Sequence, residues 1–160
     1  MDISLSSAGS LCVAVLAFCF FICQAWLFSR KTDLTWNAWG AGLSFFVAVY
    51  SFFGFIQYNT APNWINHTCE LIQYTCMIGL LHCVFGFTFS FLSIPSRGLH
   101  RIVLPLHGLL LLLLWSTPLF VGDDFITRQF LWVTGPFVEP HQGPLGRLLM
   151  IYIAAASLFV

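Results

Sequence analysis

Five long apolar runs of this chain contain no charged residue, and the spacing of these runs constrains the fold more than any other feature. The runs cover residues 3–29, 34–69, 71–96, 102–122 and 148–160. A helix that crosses a bilayer needs roughly 20 consecutive apolar residues, because the hydrocarbon core is about 30 Å thick. The first four runs reach that length and the last does not. The sequence therefore predicts an all-α membrane protein, a polytopic transmembrane helical bundle with four complete spans and a truncated fifth.

Composition supports a lipid environment. Only 8% of the residues are charged and 59% are hydrophobic, whereas about a quarter of the residues in soluble domains are charged. Such a chain cannot cover a water-facing surface, so the lipid bilayer is its first predicted partner. The net charge is zero and no basic stripe is present, which excludes nucleic acid as a partner because that affinity comes largely from basic side chains on phosphates.

The predicted organisation is one transmembrane domain, 1–160, because four spans leave no room for a soluble domain. Pro105 falls in the first turn of the predicted fourth helix and Pro118 in its last turn. Residues 122–146 form a long extracytoplasmic loop. The predicted spans are residues 7–29, 37–58, 68–93, 102–121 and 145–160.

Basic residues in the short loops predict the orientation. Arg30 and Lys31 follow the first run, and Arg97 and Arg101 follow the third, while the loop between the second and third runs carries neither lysine nor arginine. Basic residues collect in cytoplasmic loops. The N-terminus and the long loop are therefore expected outside the cytoplasm, with an uncleaved first helix, since no basic segment precedes it.

Glu70 is the one acid near the interior of a predicted span. A carboxylate within a membrane helix is by default a functional hypothesis. The alternative is a carboxylate near a helix N-terminus that complements the helix dipole and reaches interfacial water. A cavity between helices with a few polar groups in an apolar wall is the usual form of a small-molecule site. The residues predicted to line such a site are Tyr50, Gln57, Glu70, Gln73, Tyr74 and Trp115. Core packing is the favoured alternative for the aromatic and polar stripe of the second helix that contains Tyr50 and Gln57.

Cysteine and histidine positions predict packing rather than metal chemistry. Five of the six cysteines lie within spans, and no CxxC pair is present, so neither a disulfide framework nor a zinc site is predicted. Cys76, Met77, His82 and Cys83 could hold copper(I), but small side chains in membrane helices more often allow close packing. No metal and no cofactor is predicted.

His82 and His107 are expected on neighbouring antiparallel helices at depths that differ by several ångströms. Two histidines so placed are not expected to share a ligand. Each is predicted to hydrogen-bond a neighbouring helix, with a proton relay or a ligand contact as the alternative.

The long loop is unusually apolar for a connection of its length. Two Gly-Pro pairs, at Gly135-Pro136 and Gly143-Pro144, argue against a helix there. Loops this long without structure are uncommon unless they are functional or disordered. Residues 127–133 are expected to form a strand or to fold back as a lid on the bundle, and an ordered lid is favoured over a loose tether. The chain has no P-loop, HExxH or GxSxG motif, so no catalytic residue is predicted and this segment is not expected to be an enzyme.

From the third helix onward, a series of features follows in a fixed order: Gln73-Tyr74, the aromatic run Phe85, Phe87, Phe89 and Phe91, then Arg97, Pro105, Thr117-Pro118-Leu119, Gly143-Pro144 and Tyr152. This order resembles the seven-helix N-terminal membrane region of bacterial sensor histidine kinases. The match covers about residues 38–160. At residues 116–118 the chain departs from the family, whose members often show threonine followed by asparagine.

The resemblance implies a sensory input module of a two-component system in the bacterial inner membrane. It implies that this chain is a fragment, followed by two more helices and a cytoplasmic signalling domain, with a homodimer as the assembly. A small hydrophobic or amphipathic ligand is the implied stimulus. Two alternatives stay open, a small transporter or carrier subunit that uses Glu70 and His82, and a structural membrane subunit.

Overall fold

Five helices and one β-hairpin make up the described chain. The structure is a computed structural model, and it describes residues 5–31, 35–59, 62–94, 97–128 and 137–157. The helices and strands, in chain order, are α1 (Leu5–Arg30), α2 (Thr35–Asn59), α3 (Asn63–Phe91), α4 (Arg97–Ser116), β1 (Val121–Arg128), β2 (Phe137–Gln142) and α5 (Pro144–Ser157).

Three helices are long and apolar enough to cross a membrane. They are α1, α2 and α3, with 26, 25 and 29 residues, whereas α4 and α5 contribute shorter apolar segments. Large apolar side chains such as Leu16, Phe20 and Ile102 are exposed on the helix surfaces. Water would not tolerate so many of them, but lipid tails would. The prediction of a mostly helical protein with membrane-crossing helices is confirmed at this level.

Small side chains allow α2 and α3 to approach closely. A β-carbon added at Gly79 would overlap the ring of Phe46, and one added at Gly86 would overlap the ring of Trp39. On α2, a β-carbon added at Gly42 would lie 2.7 Å from the Cys83 sulfur. Packing of this kind drives helix association in lipid. The small residues of α3 therefore serve the packing role that the sequence predicts for them.

The fourth helix differs from the predicted span 102–121 at both ends. It begins at Arg97 and ends at Ser116, because Pro118 disfavours a helical conformation at Thr117 before it. Pro105 consequently lies in the helix interior rather than in the first turn. A proline inside a helix removes one backbone hydrogen bond, which membrane helices tolerate when neighbouring groups satisfy the freed carbonyl.

Most of the described part of the predicted loop 122–146 is an ordered antiparallel hairpin. Val121 pairs with Gln142 and Phe125 pairs with Pro140, with an irregularity between the two pairs. Both strands contact α3. The strand therefore starts earlier than the expected segment 127–133, of which residues 129–133 lie outside the described residues. The fifth helix begins at Pro144, directly after β2.

The hairpin closes back onto the exit of α4. The Gly143 N–H donates to the Phe120 carbonyl at 2.9 Å, and the Leu145 N–H donates to the Leu119 carbonyl at 3.0 Å. Phe120 also belongs to a cluster of buried residues, here called the hairpin core. It joins α3, α4, β1 and α5, and its members are Tyr74, Ile78, Leu114, Phe120, Val121 and Leu149.

Candidate ligand-binding cavity

A polar cavity lies between α2, α3, the two strands of the hairpin and α5. Its volume of about 410 Å³ is within the range of roughly 300–1,000 Å³ typical of small-molecule sites. Elements distant in sequence form its wall, so a ligand bound there would contact several of them at once. This hairpin cavity is lined by Tyr50, Glu70, Gln73, Tyr74, Met77, Ile126, Glu139, Pro140, His141, Gln142, Arg147 and Met150.

Two glutamines hold the Glu70 carboxylate at the wall of the cavity. The Gln57 side-chain amide donates to Glu70 Oε2 at 3.0 Å, and the Gln73 amide donates to Gln57 Oε1 at 3.2 Å. Gln57 and Gln73 are buried, so this chain of amides fixes where the carboxylate points. A charge-assisted hydrogen bond of this kind is about twice as strong as a neutral one.

Glu70 lies deeper in its helix than the sequence indicates. Because α3 begins at Asn63 rather than near Thr68, Glu70 is about two turns from the helix start. The effect of the helix dipole falls off within the first turn. The helix dipole therefore does not account for the position of Glu70. The hydrogen bond from Gln57 is the interaction that stabilises its carboxylate.

Tyr74 links the cavity to the hairpin. Gln142 donates its side-chain amide to the Tyr74 hydroxyl at 2.6 Å, while the Tyr74 ring lies 6.4 Å from that of Phe120. Gly146 allows α5 to approach this pair, since an added β-carbon would lie 2.6 Å from the Phe120 carbonyl oxygen and 3.2 Å from the Tyr74 hydroxyl. The cavity and the hairpin core therefore share Tyr74.

Charges of both signs line the hairpin cavity. Arg147 Nη2 lies 3.4 Å from His141 Nε2. Because a guanidinium group only donates, His141 accepts through Nε2 in this contact. Glu70 and Arg147 line the same cavity, yet among the described residues each has a neutral side chain as its hydrogen-bond partner, Gln57 and His141.

The structure brings together five of the six predicted site residues. Tyr50, Glu70, Gln73 and Tyr74 line the cavity, and Gln57 stands behind them in contact with Glu70.

Trp115 lies elsewhere. It borders a separate depression of about 260 Å³ beside His67 and Pro118, and its indole N–H donates to Thr75 Oγ1 at 3.0 Å. Trp115 was predicted to line the site because it lies near the C-terminal end of α4. In the structure it lies on a face of that helix that does not contribute to the hairpin cavity.

Sequence analysis missed the cavity residues contributed by the hairpin and α5. Which residues face the cavity depends on the pairing register of β1 with β2, and this register includes an irregularity that no local pattern announces. The turn signal at Gly143-Pro144 marks where the chain returns, but not which side chains it delivers. The missed residues of the hairpin and α5 are Ile126, Glu139, Pro140, His141, Gln142, Arg147 and Met150, and Met77 of α3 was also missed as a lining residue.

The prediction for His82 and His107 was wrong in depth. Their ring centroids lie 5.4 Å apart, because His82 is nine residues before the end of α3 and His107 is ten residues after the start of α4. The earlier start of α4 brings the two antiparallel positions level. His107 also reaches α5, with its Nε2 3.3 Å from the Tyr152 hydroxyl. The predicted contact with a neighbouring helix is therefore present for His107.

His100 completes a cluster of three histidines. Its ring lies 5.6 Å from that of His82 and stacks on Trp39 at the same centroid distance. Within the described ranges, no group of three or more histidine, cysteine or acidic residues is arranged to hold a metal ion. All six cysteines have free thiols.

Comparison of the chain with protein-family models, with curated proteins and with solved structures gave no match. The fold itself defines the class, which is a mostly helical protein with three helices that could cross a membrane. Any more specific function has to be argued from the hairpin cavity and its surroundings.

Proposed function

We propose that this chain is a membrane-embedded sensory input module of a bacterial signal-transduction protein. The observation that carries the proposal is the hairpin cavity, whose wall is shared by α2, α3, β1, β2 and α5. A ligand that contacts several of these elements can favour one arrangement of them over another. It can shift the equilibrium only by its difference in affinity for the two arrangements.

A chain of contacts supports transmission through α5. Arg147 and Met150 of α5 line the cavity, Leu149 lies in the hairpin core, and Tyr152 contacts His107 of α4. These four α5 residues span less than two helical turns. A ligand that moves the start of α5 would therefore act on its packing against α4, which is the kind of helix shift that signalling proteins use.

The proposal includes four complete spans and an N-terminus outside the cytoplasm of the bacterial inner membrane. The 20 residues of α4 give a helix about 30 Å long, of which the apolar segment His100–Ser116 would lie in the hydrocarbon core. The resemblance to the membrane region of sensor histidine kinases favours a cytoplasmic signalling domain as the output partner and a homodimer as the assembly.

Reporter fusions test the orientation. A reporter joined after Gly98 is expected to be active only as a cytoplasmic enzyme, because Arg97 and Arg101 hold that connection inside. A reporter joined after Arg128 is expected to be active only outside. Alkaline phosphatase and β-galactosidase activities at both positions are the measurement. The reverse pattern, or both positions on one side, would overturn the four-span topology.

The function is tested on the complete product of the gene in its native membrane. Glu70→Gln keeps the shape of the side chain but removes its charge, so we expect it to change signalling output by roughly fivefold or more, the lower end of ordinary coupling between sites. Output is measured as phosphorylation of the protein or of its regulator. Trp115→Phe is the matched control, because Trp115 lies outside the cavity.

Two results would contradict a sensory role. Substrate flux into vesicles that contain the purified protein, and its loss in Glu70→Gln, would favour the transporter that uses Glu70 and His82. Unchanged output in Glu70→Gln, Gln73→Leu and Tyr74→Phe, with the fold intact, would favour a structural subunit. A stop codon directly after Val160 in the gene would also remove the basis for an attached signalling domain.

A further inference from the structure

We propose that the hairpin cavity binds a small zwitterion, with its ammonium group at Glu70 and its carboxylate at Arg147. The inference rests on the proposed function, since it names the class of stimulus that the same cavity takes. It goes beyond the hydrophobic or amphipathic ligand that the sequence resemblance implies.

The separation of two opposite charges carries the argument. Glu70 on α3 and Arg147 on α5 both line the cavity, but in the described parts of the chain they form no ion pair with each other. Each instead contacts a neutral side chain, at 3.0 Å for Glu70 and 3.4 Å for Arg147. A partly buried charge such as that of Glu70 is stabilised by a partner of opposite sign, whereas Arg147 is exposed to solvent. A ligand with both charges supplies both partners.

The Glu70 side of the cavity suits an ammonium group. Gln57 donates to one carboxylate oxygen, and a carboxylate can accept about four hydrogen bonds through its two oxygens. Tyr50 and Tyr74 line the same cavity, and tyrosine rings attract cations that lie over their faces. A carboxylate in place of the ammonium group would be repelled by Glu70 and by the second acid of the wall, Glu139.

The Arg147 side suits a carboxylate. Guanidinium presents five donors in a fork that matches the two oxygens of a carboxylate, and the contact with His141 uses one nitrogen. Arg147 also lies in the first turn of α5, where the positive end of the helix dipole favours an anion. A basic residue at that helix end is unfavourable by itself, and a bound carboxylate would offset the repulsion.

A ligand with one charge would fit only half of this arrangement. A simple amine would supply no anion for Arg147, and a simple carboxylic acid would supply no cation for Glu70. Selection of this kind depends on the unmatched charge as much as on the matched one. The two ends therefore predict discrimination against both half-ligands.

Binding is measured as a shift in the thermal unfolding midpoint of the full chain in lipid nanodiscs. The probes are the α-amino acids, β-alanine, γ-aminobutyrate and 5-aminopentanoate, each added alone, so that the distance between the charges varies. For each probe that binds, the matching amine without the carboxylate and the matching acid without the amine are the controls. At least one zwitterion is expected to raise the midpoint, and its two half-ligands are not.

Three variants locate the two ends. Glu70→Gln is expected to weaken the affinity for the zwitterion by about thirtyfold or more, as removal of one partner of a buried charge pair does. Arg147 is exposed, so Arg147→Gln is expected to weaken the affinity less, by up to about fivefold, as for an exposed ion pair. Trp115→Phe is expected to leave it unchanged. The midpoint measured without ligand shows whether each variant folds.

The outcomes separate this inference from the proposed function. Equal shifts from a zwitterion and its amine would overturn the zwitterion, as would the absence of a shift from every probe. If Glu70→Gln still changed signalling output in either case, the sensory role would stand with a ligand of another class. If zwitterions bound but output did not respond, the binding site would stand and the sensory role would fail.

Discussion

Gly143→Ala is expected to lower the free energy of unfolding by about 3 kcal/mol or more, at or above the upper end of ordinary overpacking. A β-carbon at this buried glycine would overlap the carbonyl oxygen of Leu119 and lie 2.6 Å from its carbonyl carbon. Both are backbone atoms, so no side-chain rotation can relieve the overlap. The Gly143 N–H also donates to the Phe120 carbonyl, and a shift of the chain would break that closure.

Thermal or denaturant unfolding in detergent micelles measures the effect of Gly143→Ala. Gly108→Ala is the matched control, because Gly108 lies within α4 and nothing approaches within 4 Å of the added carbon. Alanine is favoured over glycine in a helix by about 1 kcal/mol, so the control is expected to match or exceed the parent in stability. Equal stability of the two variants would show that the hairpin does not close tightly on α4.

The long apolar helices could be predicted from sequence because lipid imposes one simple rule. Charged residues are costly in hydrocarbon, so Arg30 and Lys31 mark the end of α1 without any knowledge of its neighbours. The end of α4 was harder to predict from the sequence. Its apolar run continues to residue 122, and only the effect of Pro118 on the preceding residue separates Ser116 from the strand that follows.

The candidate site could be predicted in part for a similar reason. Glu70, Gln73 and Tyr74 stand out because polar groups inside an apolar helix need partners, and all three line the cavity. Arg147 and Gln142 could not be found this way, since Gln142 lies in the predicted loop and Arg147 at the start of the predicted fifth helix, where polar residues are common. Their role depends on a non-local pairing, which brings residue 142 to Tyr74 across 68 positions of sequence.

An error of five residues explains the misplaced histidines. If α4 began at residue 102, His107 would lie near the start of the helix and at a different depth from His82. The actual start at Arg97 adds about 7.5 Å of helix at 1.5 Å per residue and brings the two rings to 5.4 Å. In two antiparallel helices, the depth of each residue depends on its distance along the helix from the connection between the two. An error in a helix boundary at that connection therefore shifts every predicted contact between the helices.

Phe120→Ala is expected to destabilise the protein by about 3–5 kcal/mol, the usual cost of truncating a buried aromatic side chain. Phe120 is fully buried in the hairpin core, with 0% of its surface exposed, and its ring lies against that of Tyr74. The cavity left behind would also remove the support that holds Tyr74 toward Gln142. We therefore expect the loss of stability to be accompanied by weaker ligand binding at the hairpin cavity.

Leu119→Ala is the control for Phe120→Ala, since the two residues are adjacent but the Leu119 side chain is 42% exposed. A surface truncation of this kind usually changes stability by no more than about 0.5 kcal/mol. Unfolding midpoints of both variants, read by tryptophan fluorescence in detergent, give the comparison. Similar midpoints would mean that the hairpin core does not hold the hairpin on the bundle, and the route from the cavity through α5 would then lack a rigid support.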